Sequence, residues 1–127
     1  MGSIFSKIIA GEIPCYKIYE DEKTLAFLDI HPETPGHTLV IPKVEVDKLY
    51  ELEMEDYLAV MKTVKILASR MEKVLGRRTL MKVIGTDVPH AHVHLVSHDP
   101  DYQYGQVVEM TEEEMKEMQK KLTEGVE

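Results

Sequence analysis

The sequence predicts an α+β fold: a five-stranded antiparallel sheet, one long helix on a face, and a short C-terminal helix. Three observations predict it. Short runs of β-forming residues, bounded by turn signals, lie on both sides of one central segment. That segment switches to apolar steps of three and four, the period of an amphipathic helix. A second helical pattern opens on a capping box at Thr111. The 127 residues have the size of one domain, 1–127, with a C-terminal extension from about residue 97.

Residues 16–20 and 24–29 read as strands joined by the polar Asp21-Glu22-Lys23 turn. His31-Pro32-Glu33-Thr34-Pro35-Gly36 is a loop, since two prolines and a glycine interrupt any regular element. Residues 38–42 form a third strand, stopped by Pro42. Met54, Leu58, Met61, Val64, Ala68, Met71 and Leu75 then trace a helical stripe. Acidic residues fill its first turn and basic ones its last, matching the helix dipole, and Gly76 is a natural stop. Residues 80–84 and 90–96 supply two further strands. The final helix pairs Thr111 with Glu114 and sets Met110 to staple onto Met115. Its apolar side is thin, Met115, Met118 and Leu122, which predicts light packing or fraying.

Charge and cysteine content narrow the function. Fifteen basic against 23 acidic residues leave a net charge of -8. That balance opposes binding to nucleic acid or to an anionic membrane surface, both of which need a basic face. No apolar run approaches the length of a transmembrane helix. Cys15 is the single cysteine, so no internal disulfide or Cys-x-x-Cys clip exists, and a reducing, cytoplasmic setting is expected.

Half of the six histidines fall in His90-Ala91-His92-Val93-His94-Leu95-Val96. On a strand, His90, His92 and His94 share one face, while Ala91, Val93 and Leu95 share the other and pack on the helix. Three imidazoles in strict alternation are poorly explained by stability, because each needs a polar partner when buried. Two chemistries compete. Adjacent His-x-His side chains start about 6.5–7 Å apart and could converge on a metal, but the outer pair starts about 13 Å apart. Further ligands would have to come from Asp87, His98 or His37. Alternatively a neutral imidazole attacks phosphorus while its neighbours donate to the phosphoryl oxygens. The middle residue, His92, is then the natural nucleophile.

The heptapeptide resembles the His-φ-His-φ-His-φ-φ signature of the histidine triad (HIT) family of nucleotide hydrolases and transferases. The opening Ile4-Phe5-Ser6-Lys7-Ile8-Ile9-Ala10-Gly11-Glu12-Ile13-Pro14 is similar to that family's start. Leu25-Ala26-Phe27-Leu28-Asp29-Ile30 and Pro35-Gly36-His37-Thr38-Leu39-Val40-Ile41-Pro42-Lys43 are similar to its nucleotide-binding core. The resemblance, to the Hint-like branch, implies a HIT-like fold and a catalytic set of His92, His94 and His90. His92 would form a nucleotidyl-histidine intermediate, His94 would contact the phosphate or leaving group, and His90 would support them from behind. Asp29 would accept from the ribose hydroxyls, and Ile30 and Phe27 would line the base pocket. His37, close to the triad, and Thr86, a donor to phosphate, complete the expected substrate-binding set. His37 reads equally well as a structural histidine in its loop.

The chain also departs from the family pattern. Many relatives carry Cys-x-x-Cys of a structural zinc site where this chain has Ser3 and Ser6, and Glu45 replaces a histidine. No metal or cofactor is therefore expected. The segment Ile84-Gly85-Thr86-Asp87-Val88-Pro89 is shorter than the family's phosphate loop and lacks its asparagine and glutamine. The expectation is a phosphohydrolase or phosphoramidase that cleaves a purine nucleoside monophosphate derivative at the α-phosphate. The alternative is a nucleotide-binding regulatory module with little turnover. The resemblance also implies a homodimer along the long helix and the strand beside it. Ile66, Leu67 and Val74, outside the stripe, broaden the face that helix can bury.

Overall fold

A computed structural model describes residues 2–86 and 88–124. Five strands form one antiparallel sheet: β1 (Lys17–Glu20), β2 (Thr24–Leu28), β3 (Thr38–Pro42), β4 (Thr79–Lys82) and β5 (Val93–Ser97). The spatial order is β1-β2-β3-β5-β4. Every residue of β2, β3 and β5 is buried, so the three central strands are covered on both faces.

The two faces bury different things. Ala26, Leu28, Val40, Val93 and Leu95 point to the side covered by the long helix α2 (Met54–Leu75). There they meet Val60, Val64, Leu67 and Met71. Leu25, Phe27, Leu39 and Ile41 point to the other side, against Phe5 of α1 (Ile4–Ile9). This alternation is the pleat read as burial. The last helix, α3 (Glu112–Thr123), begins on the expected capping box of Thr111 and Glu114. It does not pack lightly: Met115, Met118 and Leu122 are all buried in the main core, beside β1 and α2.

The structure corrects several sequence expectations. The helix spans its expected residues, but its buried stripe is rotated. Met54 and Leu58 are exposed, whereas Leu67 is 1% exposed and sits in the chain's own core. The apolar residues occupy so broad an arc that the period alone cannot say which edge of it meets the sheet. Leu67 therefore offers nothing to a partner. The fourth strand starts one residue earlier and ends at Lys82, and the fifth starts at Val93 rather than at residue 90. The amides of His90 and Ala91 are taken by the carbonyls of Val88 and Val46, outside the ladder. The helix α1 and a 3₁₀ turn, Leu49–Glu51, are too short for a period to show in the sequence. Gly36 closes the Pro35-Gly36 turn at φ +97, a left-handed conformation that aims His37 into the sheet.

Candidate active site

The three triad histidines are buried on the α1 side of the sheet, which rules out a solvated face. The rings of His92 and His94 lie 5.0 Å apart, and Phe5 stands edge-on to His92 at 5.2 Å and to His90 at 5.9 Å. The side-chain alternation of the sequence thus persists even where the strand pairing has stopped.

Hydrogen bonds fix the tautomer of each ring, because a carbonyl can only accept and a backbone N–H can only donate. His92 Nδ1 lies 2.7 Å from the His90 carbonyl, so Nδ1 carries the proton and Nε2 keeps its lone pair. His90 Nε2 donates to the Pro42 carbonyl at 2.9 Å, leaving Nδ1 to accept from the Ser3 hydroxyl at 3.0 Å. His37 Nδ1 accepts the Glu33 amide at 2.9 Å, so its proton is on Nε2 and points at His94 Nδ1, 2.9 Å away. Neutral His94 then holds its own proton on Nε2. The result is one ring nitrogen that holds a lone pair, on His92, and one that holds a proton, on His94, in rings 5.0 Å apart.

Burial reinforces this pattern. Desolvation pushes His37 down from 6.5 to about 4, with His94 as the next cause, so His37 is neutral at pH 7. Its approach to Asp29 Oδ2, 3.6 Å, is therefore not an ion pair. His90 is also held below the ordinary histidine value, mainly by burial. Burial raises Asp29, against the lowering effect of the His31 amide that donates to it at 2.8 Å.

A cavity of about 130 Å³ is lined by Phe5, whose ring contacts His90 and His92, together with Ile8, Phe27, Asp29, Ile30 and Leu39, among others. It is apolar except for the Asp29 carboxylate at its edge, the arrangement that a base and its ribose need. Phe27 is both pocket wall and core, and Ile30, 66% exposed, forms the lip. His37 is only 3% exposed, and its two ring nitrogens engage the Glu33 amide and His94 Nδ1. Thr86 is exposed; Asp87 lies outside the described residues. His98 is exposed and stacks edge-on with Tyr102, outside the triad's hydrogen bonds. A larger groove, about 560 Å³, runs along α3, but its glutamates would repel a phosphate and it holds no nucleophile.

Several residues of the site escaped sequence reasoning. Ile4, Phe5, Ile8, Ile13 and Cys15 supply one wall of the cavity. Lys82, paired with His94 in the β4–β5 register, shares the triad's face. It binds the Glu33 carboxylate together with the Tyr102 hydroxyl, and so steadies the loop whose Glu33 amide supports His37. No local pattern marks these positions; only register and packing do.

Neither candidate metal site has a fitting donor set. Asp29, His37 and His94 bring one ligand atom each within 4.8 Å of one another. A metal on His37 would need the Nε2 lone pair, yet the Glu33 amide on Nδ1 keeps the proton at Nε2. Where the resemblance would place a structural zinc site, Ser3, Ser6, Glu45 and His90 come together by hydrogen bonds. Two hydroxyls replace the thiolates that zinc prefers, and His90 Nδ1 is already taken by Ser3.

The HIT domain family model matches residues 10–101. The chain belongs to the HIT family. Like other HIT proteins, it is similar to relatives along most of its length. It is 44% identical over 100 residues to Protein hit of Bacillus subtilis, covering 73% of this chain and 68% of that one. It is 36% identical over 111 residues to Adenosine 5'-monophosphoramidase hnt1 of Schizosaccharomyces pombe, covering 83% and 80%. The crystal structure of a Hit-like protein involved in cell-cycle regulation from Bartonella henselae superposes with a TM-score of 0.86. The two are 31% identical over 95% of this chain and 93% of that one. The HIT fold expected from the sequence is thus the fold of this protein.

Proposed function

We propose that this HIT protein is a nucleotide phosphohydrolase or phosphoramidase that cleaves a purine nucleoside monophosphate derivative at its α-phosphate. One observation carries the reading: the His90 carbonyl holds the proton on His92 Nδ1 and so leaves Nε2 as a lone pair, on a ring that stands 5.2 Å from Phe5 of the cavity wall. In the first step His92 Nε2 attacks phosphorus, a P–N bond forms, and the bond to the leaving group breaks. The leaving group departs with the electron pair and is protonated by solvent, while the His94 Nε2–H hydrogen-bonds to the atom on which charge develops. Water then attacks phosphorus and gives up a proton to solvent, the P–N electron pair returns to His92 Nε2, and the monophosphate leaves. Asp29 receives the ribose hydroxyls, Phe27 and Ile30 hold the base, and Thr86 donates to phosphate. His37 acts through His94. The monophosphoramidase name of the Schizosaccharomyces pombe relative supports an amine as leaving group.

The reading includes a cytoplasmic homodimer that needs no metal. Supporting the dimer, β4 lies at a sheet edge with the apolar Met81 59% exposed on it. No helix among the described residues is long and apolar enough to cross a membrane.

The test is turnover of an adenosine phosphoramidate by wild type and by His92→Ala. Loss of at least about a thousand-fold in kcat with nucleotide affinity kept is the expected result. An adenylyl adduct should be trapped on the peptide carrying His92. Near-wild-type kcat in the variant would refute the mechanism. Tight nucleotide binding by a wild type that does not turn over would favour the regulatory module, which the short 84–89 segment supports.

A further inference from the structure

Ser3, Ser6 and Glu45 depart from the family pattern in sequence, yet the fold gathers them around the first triad histidine. His90 is fully buried and must satisfy both ring nitrogens. Pro42 takes the proton of Nε2, so Nδ1 needs a donor, and the Ser3 hydroxyl is 3.0 Å away. That hydroxyl has its proton to give, because its oxygen accepts the Ser6 amide at 3.1 Å as the N-cap of α1. Ser6 Oγ donates to the Glu45 carboxylate, which also accepts the Ser3 amide at 3.2 Å. Ser6 Oγ also stands 3.4 Å from His90 Nδ1 and 3.5 Å from Ser3 Oγ, but the nearer Glu45 carboxylate takes its proton, which leaves Ser3 as the donor to His90. The same His90 whose ring is fixed here presents the carbonyl that holds His92 Nδ1. The helix that Ser3 caps also contributes Ile4, Phe5 and Ile8 to the cavity wall.

We propose that Ser3 is a positioning residue of the active site: through its one hydroxyl it fixes the His90 tautomer and ties the cavity wall to the nucleophile's support. The proposal rests on His92 as the nucleophile. Ser3 touches neither substrate nor reacting atoms; it acts through His90.

Three variants separate this role from simple helix capping. Ser3→Thr keeps both the cap and the donated proton. Ser3→Asp keeps the cap, since a carboxylate accepts the Ser6 amide, but has no proton to give to His90 Nδ1. Ser3→Ala loses both. Turnover of the adenosine phosphoramidate is measured together with the histidine tautomers, read from long-range ¹⁵N–¹H correlations of the rings. Ser3→Thr should keep kcat within about threefold, whereas Ser3→Asp should lose about tenfold or more, as expected for a misplaced reacting group. In Ser3→Asp the His90 ring should leave its Nε2–H neutral pattern and gain a proton on Nδ1. A Ser3→Asp protein with wild-type kcat and an unchanged His90 spectrum would reduce Ser3 to a helix cap and overturn the proposal. So would a Ser3→Thr protein as impaired as Ser3→Ala. Should Ser3→Ala not fold, the Thr and Asp pair still decides. A wild type without turnover would defeat the nucleophile reading alone, and the ring spectra of Ser3→Asp would still decide whether Ser3 fixes His90.

Discussion

Replacing His37 by asparagine isolates one buried titration. Asparagine Oδ1 can still accept the Glu33 amide that His37 Nδ1 accepts at 2.9 Å, while the group that titrates is removed. In the folded protein His37 titrates near 4, against 6.5 for an ordinary histidine. Between those values the unfolded chain carries a proton that the folded chain refuses. Unfolding therefore takes up a proton, and acid favours it. The contribution is complete above pH 6.5 and is lost as the pH falls to about 4. At 1.36 kcal/mol per unit, the gap is worth about 3 kcal/mol. Urea unfolding followed by circular dichroism, from pH 7 to pH 4, measures it for wild type and His37→Asn. The wild type's stability relative to the variant should drop by about 3 kcal/mol across that range. Carboxylates remote from His37 are common to both proteins and cancel, whereas Glu33 and His94 interact with the His37 charge and belong to the measured difference. A difference that does not change with pH would refute the neutral, desolvated His37, and with it the direction of the hydrogen bond to His94.

Three further outcomes follow from the packing. Leu67→Ala should cost about 3 kcal/mol in urea unfolding, since a fully buried leucine leaves a cavity, while Leu58→Ala on the exposed flank should cost under about 0.5 kcal/mol. Equal costs would return the helix to the phase expected from its sequence. Gly36→Ala should lose about 2 kcal/mol, because φ +97 disfavours a side chain and its Cβ would come within 2.9 Å of Leu75 Cδ1; an unchanged Tm would show that the turn relaxes freely. In sedimentation equilibrium at micromolar concentration, the wild type should run near twice its 14.6 kDa chain mass and Met81→Lys near that mass itself. A wild type that sediments at the chain mass ends the dimer reading.

Much of the site was legible because its chemistry is local. The alternation of His90, His92 and His94 needs only the two-residue period of an extended chain. Sequence spacing therefore put the three imidazoles on one face even though pairing begins only at Val93. The capping box of Thr111 and Glu114 spans four residues and formed as read. The period also gave the extent of α2 but not its rotation, since Met54, Leu58 and Leu67 are equally apolar and only the sheet chooses among them. His37 was readable as a neighbour of the triad, but not as a donor to His94. That role depends on where the Glu33 amide points.

The sequence by itself determined the five strands, the two longer helices, the triad's common face and the family, because each follows from residues close together in the chain. Only the tertiary structure decided which ring nitrogens carry protons. Those protons are set by the Pro42 and His90 carbonyls, the Ser3 hydroxyl and the Glu33 amide. Ser3 and Pro42 lie 87 and 48 residues from His90, and no periodicity connects residues so far apart until the fold closes around them.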